Sequence, residues 1–292
     1  MDNGKVVYRL KRYDPNTGGY RESVYEVPTY RGMTILDGLI WIKENLDRTV
    51  SYRASCRMGL CGSCGMTVNG RPTLTCETQI ASLGTDEITI EPLNNMEPIR
   101  DVVADFHLFF KHQRAVKPYL IRKNLDEQVE PTREYLQDPQ EWNLYIQFAM
   151  CITCGLCYSA CPTTSTNERY LGPQALANLF RFFIDSRDEG WEERLNIADT
   201  EDGVWGCHLA TGCSEVCPKG VDPALAIQLL RKEILKRSLR LSRPKKAREV
   251  APMLPPSEES PYRAFGEAPE FTVEDAVEKA EEFNILHDHR KR

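Results

Sequence analysis

Two cysteine runs constrain this chain more than any other feature. The first reads Cys151-Ile152-Thr153-Cys154-Gly155-Leu156-Cys157-Tyr158-Ser159-Ala160-Cys161-Pro162, a C-x2-C-x2-C-x3-C-P pattern. Three cysteines so close together reach successive irons of one cubane, whereas the fourth reaches a different cluster. That geometry demands a second run that returns a ligand, and Cys207-His208-Leu209-Ala210-Thr211-Gly212-Cys213-Ser214-Glu215-Val216-Cys217-Pro218 repeats the pattern with Ala210 where the second cysteine would stand. Crosswise pairing gives one set of Cys151, Cys154, Cys157 and Cys217, and another of Cys161, Cys207 and Cys213. Four thiolates suit a [4Fe–4S] cluster. Three suit a [3Fe–4S] cluster, because an iron facing Ala210 has no protein ligand. Structural zinc is the competing chemistry, but four-cysteine zinc sites are usually built from separated C-x2-C pairs.

A third signature lies upstream. Cys56-Arg57-Met58-Gly59-Leu60-Cys61-Gly62-Ser63-Cys64, followed by Cys76, has the C-x4-C-x2-C…C spacing of a plant-type [2Fe–2S] loop. Gly59, Gly62 and Gly65 are expected to supply the φ > 0 positions that turn backbone N–H groups toward the sulfurs; a zinc loop is again the alternative. The signature sits in a segment of short strands. Residues 5–13 and 20–27 alternate around a Asp14-Pro15-Asn16-Thr17-Gly18-Gly19 turn and read as a hairpin. Thr34 caps a helix over 35–46, and further strands are expected at Gly65–Val68, Pro72–Thr75 and Glu87–Glu91, with a tight turn at Asn69-Gly70. A hairpin with a helix laid across it begins a β-grasp sheet.

From Asp101 the texture becomes helical. Asp101 is read as the cap of a stripe formed by Val102, Val103, Phe106, Phe109 and Phe110. The segment 123–140, broken by Pro131 and Pro139, reads as a loop with a short helix. Gly172-Pro173 and Asp222-Pro223 each open a helix, with proline at its favoured first position. Arg231, Lys232, Lys236, Arg237, Arg240, Arg243, Lys245, Lys246 and Arg248 then crowd one segment. Such a run is usually a solvated face; its sharper reading is contact with anionic lipid headgroups. Residues 250–270 read as a proline-rich linker and Thr272 as the cap of a short acidic helix.

Eleven cysteines in 292 residues, clustered at these spacings, belong to metal thiolates in a reducing compartment rather than to a disulfide framework. The net charge of −6 argues against nucleic acid. No apolar run is long enough to span a bilayer and no targeting signal is visible, so a chain held at the cytoplasmic side is expected.

With three signatures in the order 2Fe, 4Fe, 3Fe, the chain resembles the iron–sulfur subunit of succinate dehydrogenase and fumarate reductase over roughly residues 5–240. The resemblance extends to Arg53-Ala54-Ser55-Cys56-Arg57, Gly172-Pro173, Ile184-Asp185-Ser186-Arg187-Asp188 and Cys217-Pro218-Lys219-Gly220. It implies an α+β architecture: a β-grasp [2Fe–2S] ferredoxin domain over 1–100, an all-α helical ferredoxin domain with the [4Fe–4S] and [3Fe–4S] clusters over 101–240, and a tail over 241–292. It also implies a flavoprotein partner carrying FAD, a membrane anchor, and electrons passed between FAD and a quinone at the cytoplasmic face of the membrane. The reverse direction, fumarate reduction, and an iron–sulfur subunit of another flavin-dependent oxidoreductase are the alternatives. No residue of the chain itself is expected to do acid–base work on succinate. Family members often carry an aromatic residue shortly after the first C-P; here Thr163, Thr164, Ser165 and Thr166 follow Pro162. The quinone end is accordingly placed at Pro162, Thr166, Trp205, His208 and Ala210.

Overall fold

Alternation from Lys5 onward becomes a strand, β1 (Lys5–Asp14), which turns back onto β2 (Gly19–Pro28) in the register Lys5 with Pro28 and Tyr13 with Tyr20. This is a computed structural model, and it describes residues 4–124, 126 and 134–241. The inward positions of β1 are Val6, Tyr8, Leu10 and, unexpectedly, Arg12, which is 1% exposed. Its guanidinium donates to Asp101 at 2.6 Å, Asp47 at 2.7 Å and Thr49 at 2.9 Å. A buried charge is tolerable only when paired and hydrogen-bonded in this way.

Helix α1 (Ile35–Asn45) begins where Thr34 caps it, Thr34 and Asp37 each bonding the other's backbone N–H. It lays Ile35, Leu39 and Ile42 against Val6, Tyr8, Leu10 and Ile88 of the sheet. Three strands complete that sheet: β3 (Gly65–Val68), β4 (Arg71–Leu74) and β5 (Glu87–Glu91). The strand order is β2-β1-β5-β3-β4, with β1 and β5 parallel and the other pairs antiparallel. Asn69 and Gly70 have φ of 48° and 79°, as the two-residue turn between β3 and β4 requires.

The apolar stripe after Asp101 divides differently from the helical reading. Asp101 has φ 50°, is buried, and pairs across to Tyr13 through two backbone bonds. Val103 and Ala104 form β7 against β6 (Pro98–Arg100), and α2 (His107–Ala115) starts only after Phe106. The carboxylate of Asp101 is occupied by Arg12 and by the N–H of Ser51, so it anchors the sheet rather than capping a helix.

The remaining elements are helical. Short turns α3 (Pro139–Asn143), α4 (Ile146–Ala149), α5 (Leu156–Ser159), α6 (Pro162–Thr166) and α9 (Gly212–Glu215) alternate with α7 (Pro173–Ile184), α8 (Trp191–Ala198) and α10 (Pro223–Ser238). Leu176, Leu179, Phe180 and Phe183 of α7 meet Ile227, Leu230 and Ile234 of α10 in one apolar core, which Cys161 joins and against which Cys151, Cys207 and Cys217 pack. The longer helices form the frame and the short turns carry the cysteines. Two acids fasten the segment preceding α3 to this frame. Asp185 accepts from Gln137 at 3.0 Å as well as from Arg187 and Arg181, and Asp188 pairs with Arg194 at 2.8 Å while accepting from the N–H of Ile121. Arg194 in turn donates to the carbonyls of Val116, Lys117 and Tyr119.

The expectations for Pro131, for Arg243, Lys245, Lys246 and Arg248, for the linker over 250–270 and for the helix at Thr272 lie outside the described residues. Within α10, Arg231 and Arg237 are turned back onto the chain, Arg231 to the carbonyls of Val204 and Cys207 and Arg237 to Asn196 and Asp199. Those two charges hold structure together rather than forming an open basic face. No helix among the described residues is long and apolar enough to cross a membrane.

Candidate metal centres

The loop between α1 and β3 wraps its own sulfurs. Backbone N–H groups of Met58, Leu60 and Cys61 point at Cys56 Sγ at 3.5, 3.3 and 3.2 Å, that of Cys56 at Cys61 Sγ at 3.5 Å, and that of Gly59 at Cys76 Sγ at 3.3 Å. Convergent amides of this kind stabilise negative charge, here that of thiolate sulfur. Arg57, Gly59 and Gly62 take φ of 56°, 67° and 71°. Gly65 does not; it lies in β3, where a Cβ would meet Leu156 Cδ2 at 3.2 Å, so packing explains its small size. The sulfurs experience different surroundings. Burial pushes the Cys76 thiol up to about 12, whereas the Ser63 hydroxyl and the Cys56 amide bring exposed Cys61 down to about 6.

The two downstream runs interlock. Cys151, Cys154, Cys157 and Cys217 line one cavity together with Ile152, Gly155 and Pro218. Cys161, Cys207 and Cys213 line a second. The crosswise sets expected from spacing are therefore the sets that the fold brings together. Left-handed backbone at Thr153 and Gly155 in the first run, and at Leu209 and Thr211 in the second, bends each loop around its cavity. Burial raises the Cys154 thiol to about 12 and Cys157 well above its usual range, with neighbouring thiols adding to the shift. Four bare thiolates would repel one another here, so the pocket suits a cationic metal core that keeps sulfur deprotonated. Among the described residues no three His, Cys, Asp or Glu side chains close on a single ion; the thiols instead rim cavities.

The three sulfur groups stand in a row. Cys64 and Cys76 share an apolar cluster with Cys154 and Leu156, and Cys157 shares another with Cys213 and Ala224.

At the far end, Pro162, His208 and Ala210 join the lining of the second cavity, and His208 is exposed. Ala210 presents its methyl where the first run has a cysteine. Thr166 and Trp205 stand outside that lining. Thr166 returns its hydroxyl to the carbonyls of Pro162 and Thr163, and Trp205 gives its indole N–H to Asp199 at 2.8 Å beneath Arg231.

Two structural residues escaped the sequence reading. Asn95, at φ 62°, directs its amide N–H group to the carbonyls of Tyr158, Ser159 and Cys161 and to the Thr164 hydroxyl, at 2.9–3.1 Å. It ties the loop after β5 to the end of the first cysteine run. Asparagine tolerates left-handed backbone, so its position beside Met96 in a polar loop was the available signal. Tyr170, wholly buried, is the second.

Residues 7–111 match the family described as 2Fe-2S iron-sulfur cluster binding domain, and residues 147–221 the family described as 4Fe-4S dicluster domain. The chain is 45% identical over 225 residues to the fumarate reductase iron-sulfur subunit of Mycobacterium tuberculosis, covering 77% of this chain and 90% of that one. The chain belongs to the iron–sulfur subunits of fumarate reductase and succinate dehydrogenase. The fumarate reductase iron-sulfur subunit of Haemophilus influenzae is 42% identical, with 78% and 92% of the two chains covered. Among solved structures, a chain of the Mycobacterium smegmatis Sdh1 complex in the apo form superposes with a TM-score of 0.70 at 26% identity, over 81% of this iron–sulfur subunit and 98% of that chain. The sheet domain with its [2Fe–2S] signature and the helical region with its paired runs are thus the two parts expected of the family.

Proposed function

We propose that this chain is the electron-transfer subunit of a succinate:quinone oxidoreductase, carrying electrons between the FAD of a flavoprotein partner and a membrane quinone. The observation that supports it most is the crosswise convergence of Cys217 with Cys151, Cys154 and Cys157, and of Cys161 with Cys207 and Cys213, beside a separate [2Fe–2S] loop. In this reading Cys56, Cys61, Cys64 and Cys76 hold the [2Fe–2S] cluster, the four-thiol set holds [4Fe–4S], and the three-thiol set holds [3Fe–4S]. Bound there, the clusters supply one-electron carriers in series.

The chain's own residues do the rest. The amides over Cys56 and Cys76 favour the charged state of their sulfurs, and the apolar walls around Cys154 and Cys157 exclude water. His208 and Pro162, rimming the second cavity, meet the quinone. A quinone carbonyl needs a donor as it is reduced, and an exposed imidazole can provide one. With threonines and serine after Pro162, most of the apolar contact to the quinone ring comes from the anchor subunit, which also keeps this chain at the cytoplasmic face of the membrane. Trp205 and Thr166 stabilise the rim through the bonds they make to the chain itself. Purification from membranes tests the assignment: a flavin-bearing subunit and an apolar anchor should accompany this chain, with succinate-dependent reduction of quinone. A chain recovered alone, with no flavoprotein, would overturn it.

A further inference from the structure

Tyr170 carries a buried hydroxyl that the fold leaves unsatisfied. The residue is 0% exposed, and its Oη has no hydrogen-bond partner among the described residues. Buried hydroxyls are rarely left so, because each loses its water without compensation. The ring forms part of the wall of the cavity rimmed by Cys161, Cys207 and Cys213. Its neighbours fix it there. A Cβ at Gly206 would come within 2.8 Å of the ring, so the residue before Cys207 has to be glycine for the tyrosine to lie flat against it. The backbone on either side is pinned as well, Tyr170 donating to Asn167 and Leu171 to Asp202.

We propose that Tyr170 is a positioning and tuning residue: its hydroxyl donates to a sulfur of the cluster held by Cys161, Cys207 and Cys213 and so raises that cluster's reduction potential. The inference rests on the assignment of the three-thiol set to a [3Fe–4S] cluster. Reduction adds negative charge to the cluster, and a fixed donor stabilises the more negative state more strongly. A terminal carrier of raised potential draws electrons along the row and delivers them to the acceptor.

Tyr170→Phe removes one oxygen and no bond to the protein, so folding is retained. In the complex purified from membranes, the EPR signal of the oxidised [3Fe–4S] cluster is titrated against potential. The expected result is a reduction equilibrium about tenfold less favourable in the variant, or about 59 mV for one electron. The other two clusters should titrate as in the parent. An unchanged potential for the third cluster overturns the proposal. So does a variant that folds but fails to retain the third cluster, since the hydroxyl would then be needed for assembly rather than tuning. Absence of any [3Fe–4S] signal from the parent complex would instead overturn the cluster assignment itself, which separates the two failures.

Discussion

Gly62, in the [2Fe–2S] loop, lies so close to Cys154 that a Cβ on the glycine would sit 2.8 Å from the Cα of the cysteine. The two residues are far apart in sequence and belong to different cluster signatures, yet nothing larger than hydrogen fits between them. The contact seats the upstream cysteine loop directly against the four-thiol set.

Gly62→Ala should therefore be worse than its backbone angle explains. A left-handed alanine costs roughly 1–2 kcal/mol by itself. Gly70 has a similar positive φ, but nothing lies within 4 Å of a Cβ placed there. Comparing the two alanine variants by thermal unfolding and by rapid-freeze EPR isolates the contact. Gly70→Ala should lower stability by the backbone cost only, whereas Gly62→Ala should lose more and also slow reduction of the [4Fe–4S] cluster.

Ala210→Cys offers the open corner of the second cavity a fourth thiol. The cluster there should convert to a cubane of lower potential, by on the order of 200 mV within the range open to such clusters. Flavin-side dye reduction should survive while quinone reduction falls. An unaltered [3Fe–4S] EPR signal in the variant would show that residue 210 does not face the open corner.

The imidazole of His208 is exposed at the rim of the same cavity. His208→Ala should lower quinone reduction by about a hundredfold or more, as loss of a positioned proton donor does. Succinate–dye activity and all three cluster signals should be unaffected. Parental quinone turnover in this variant would place the pocket elsewhere.

The Asp188–Arg194 pair is a stability test independent of metal. Both side chains are fully buried, and Arg194 also holds three carbonyls of the 116–119 segment. Arg194→Met leaves Asp188 charged without its partner and should cost about 3–5 kcal/mol, read from denaturant unfolding.

Asp185 gives the fold an acid limb. Burial opposes its ionisation, but Arg187 and Arg181 outweigh burial and hold the carboxyl below its ordinary value of 3.8. A depressed folded value means stability that is complete above the unfolded-state value and is lost as the pH falls through the folded one. Asp185→Asn should be less stable at neutral pH, and its stability should change less between neutral pH and acid below 3.8 than that of the parent.

How much of this was written in the sequence depends on the range of the contacts involved. The hairpin, α1 with its Thr34–Asp37 box, and the helices opened by Pro173 and Pro223 follow from local patterns, and they stand within a residue or so of the expected bounds. Both cavities were legible because cysteine spacing encodes which irons a run can reach. The segment after Asp101 was not. Its apolar spacing mimics a helix, but Arg12, many residues earlier, claims the Asp101 carboxylate and draws the chain into β pairing. The approach of Gly62 to Cys154, Asn95 and Tyr170 were illegible for the same reason, since each involves a partner that is distant in sequence or a cavity formed by tertiary packing.

The central claim is the content of the three sulfur cages. Iron and zinc are to be quantified per chain in protein purified without exposure to oxygen. The account predicts about nine irons and no stoichiometric zinc, as one cluster of each type requires. About three metals per chain, all zinc, would contradict it.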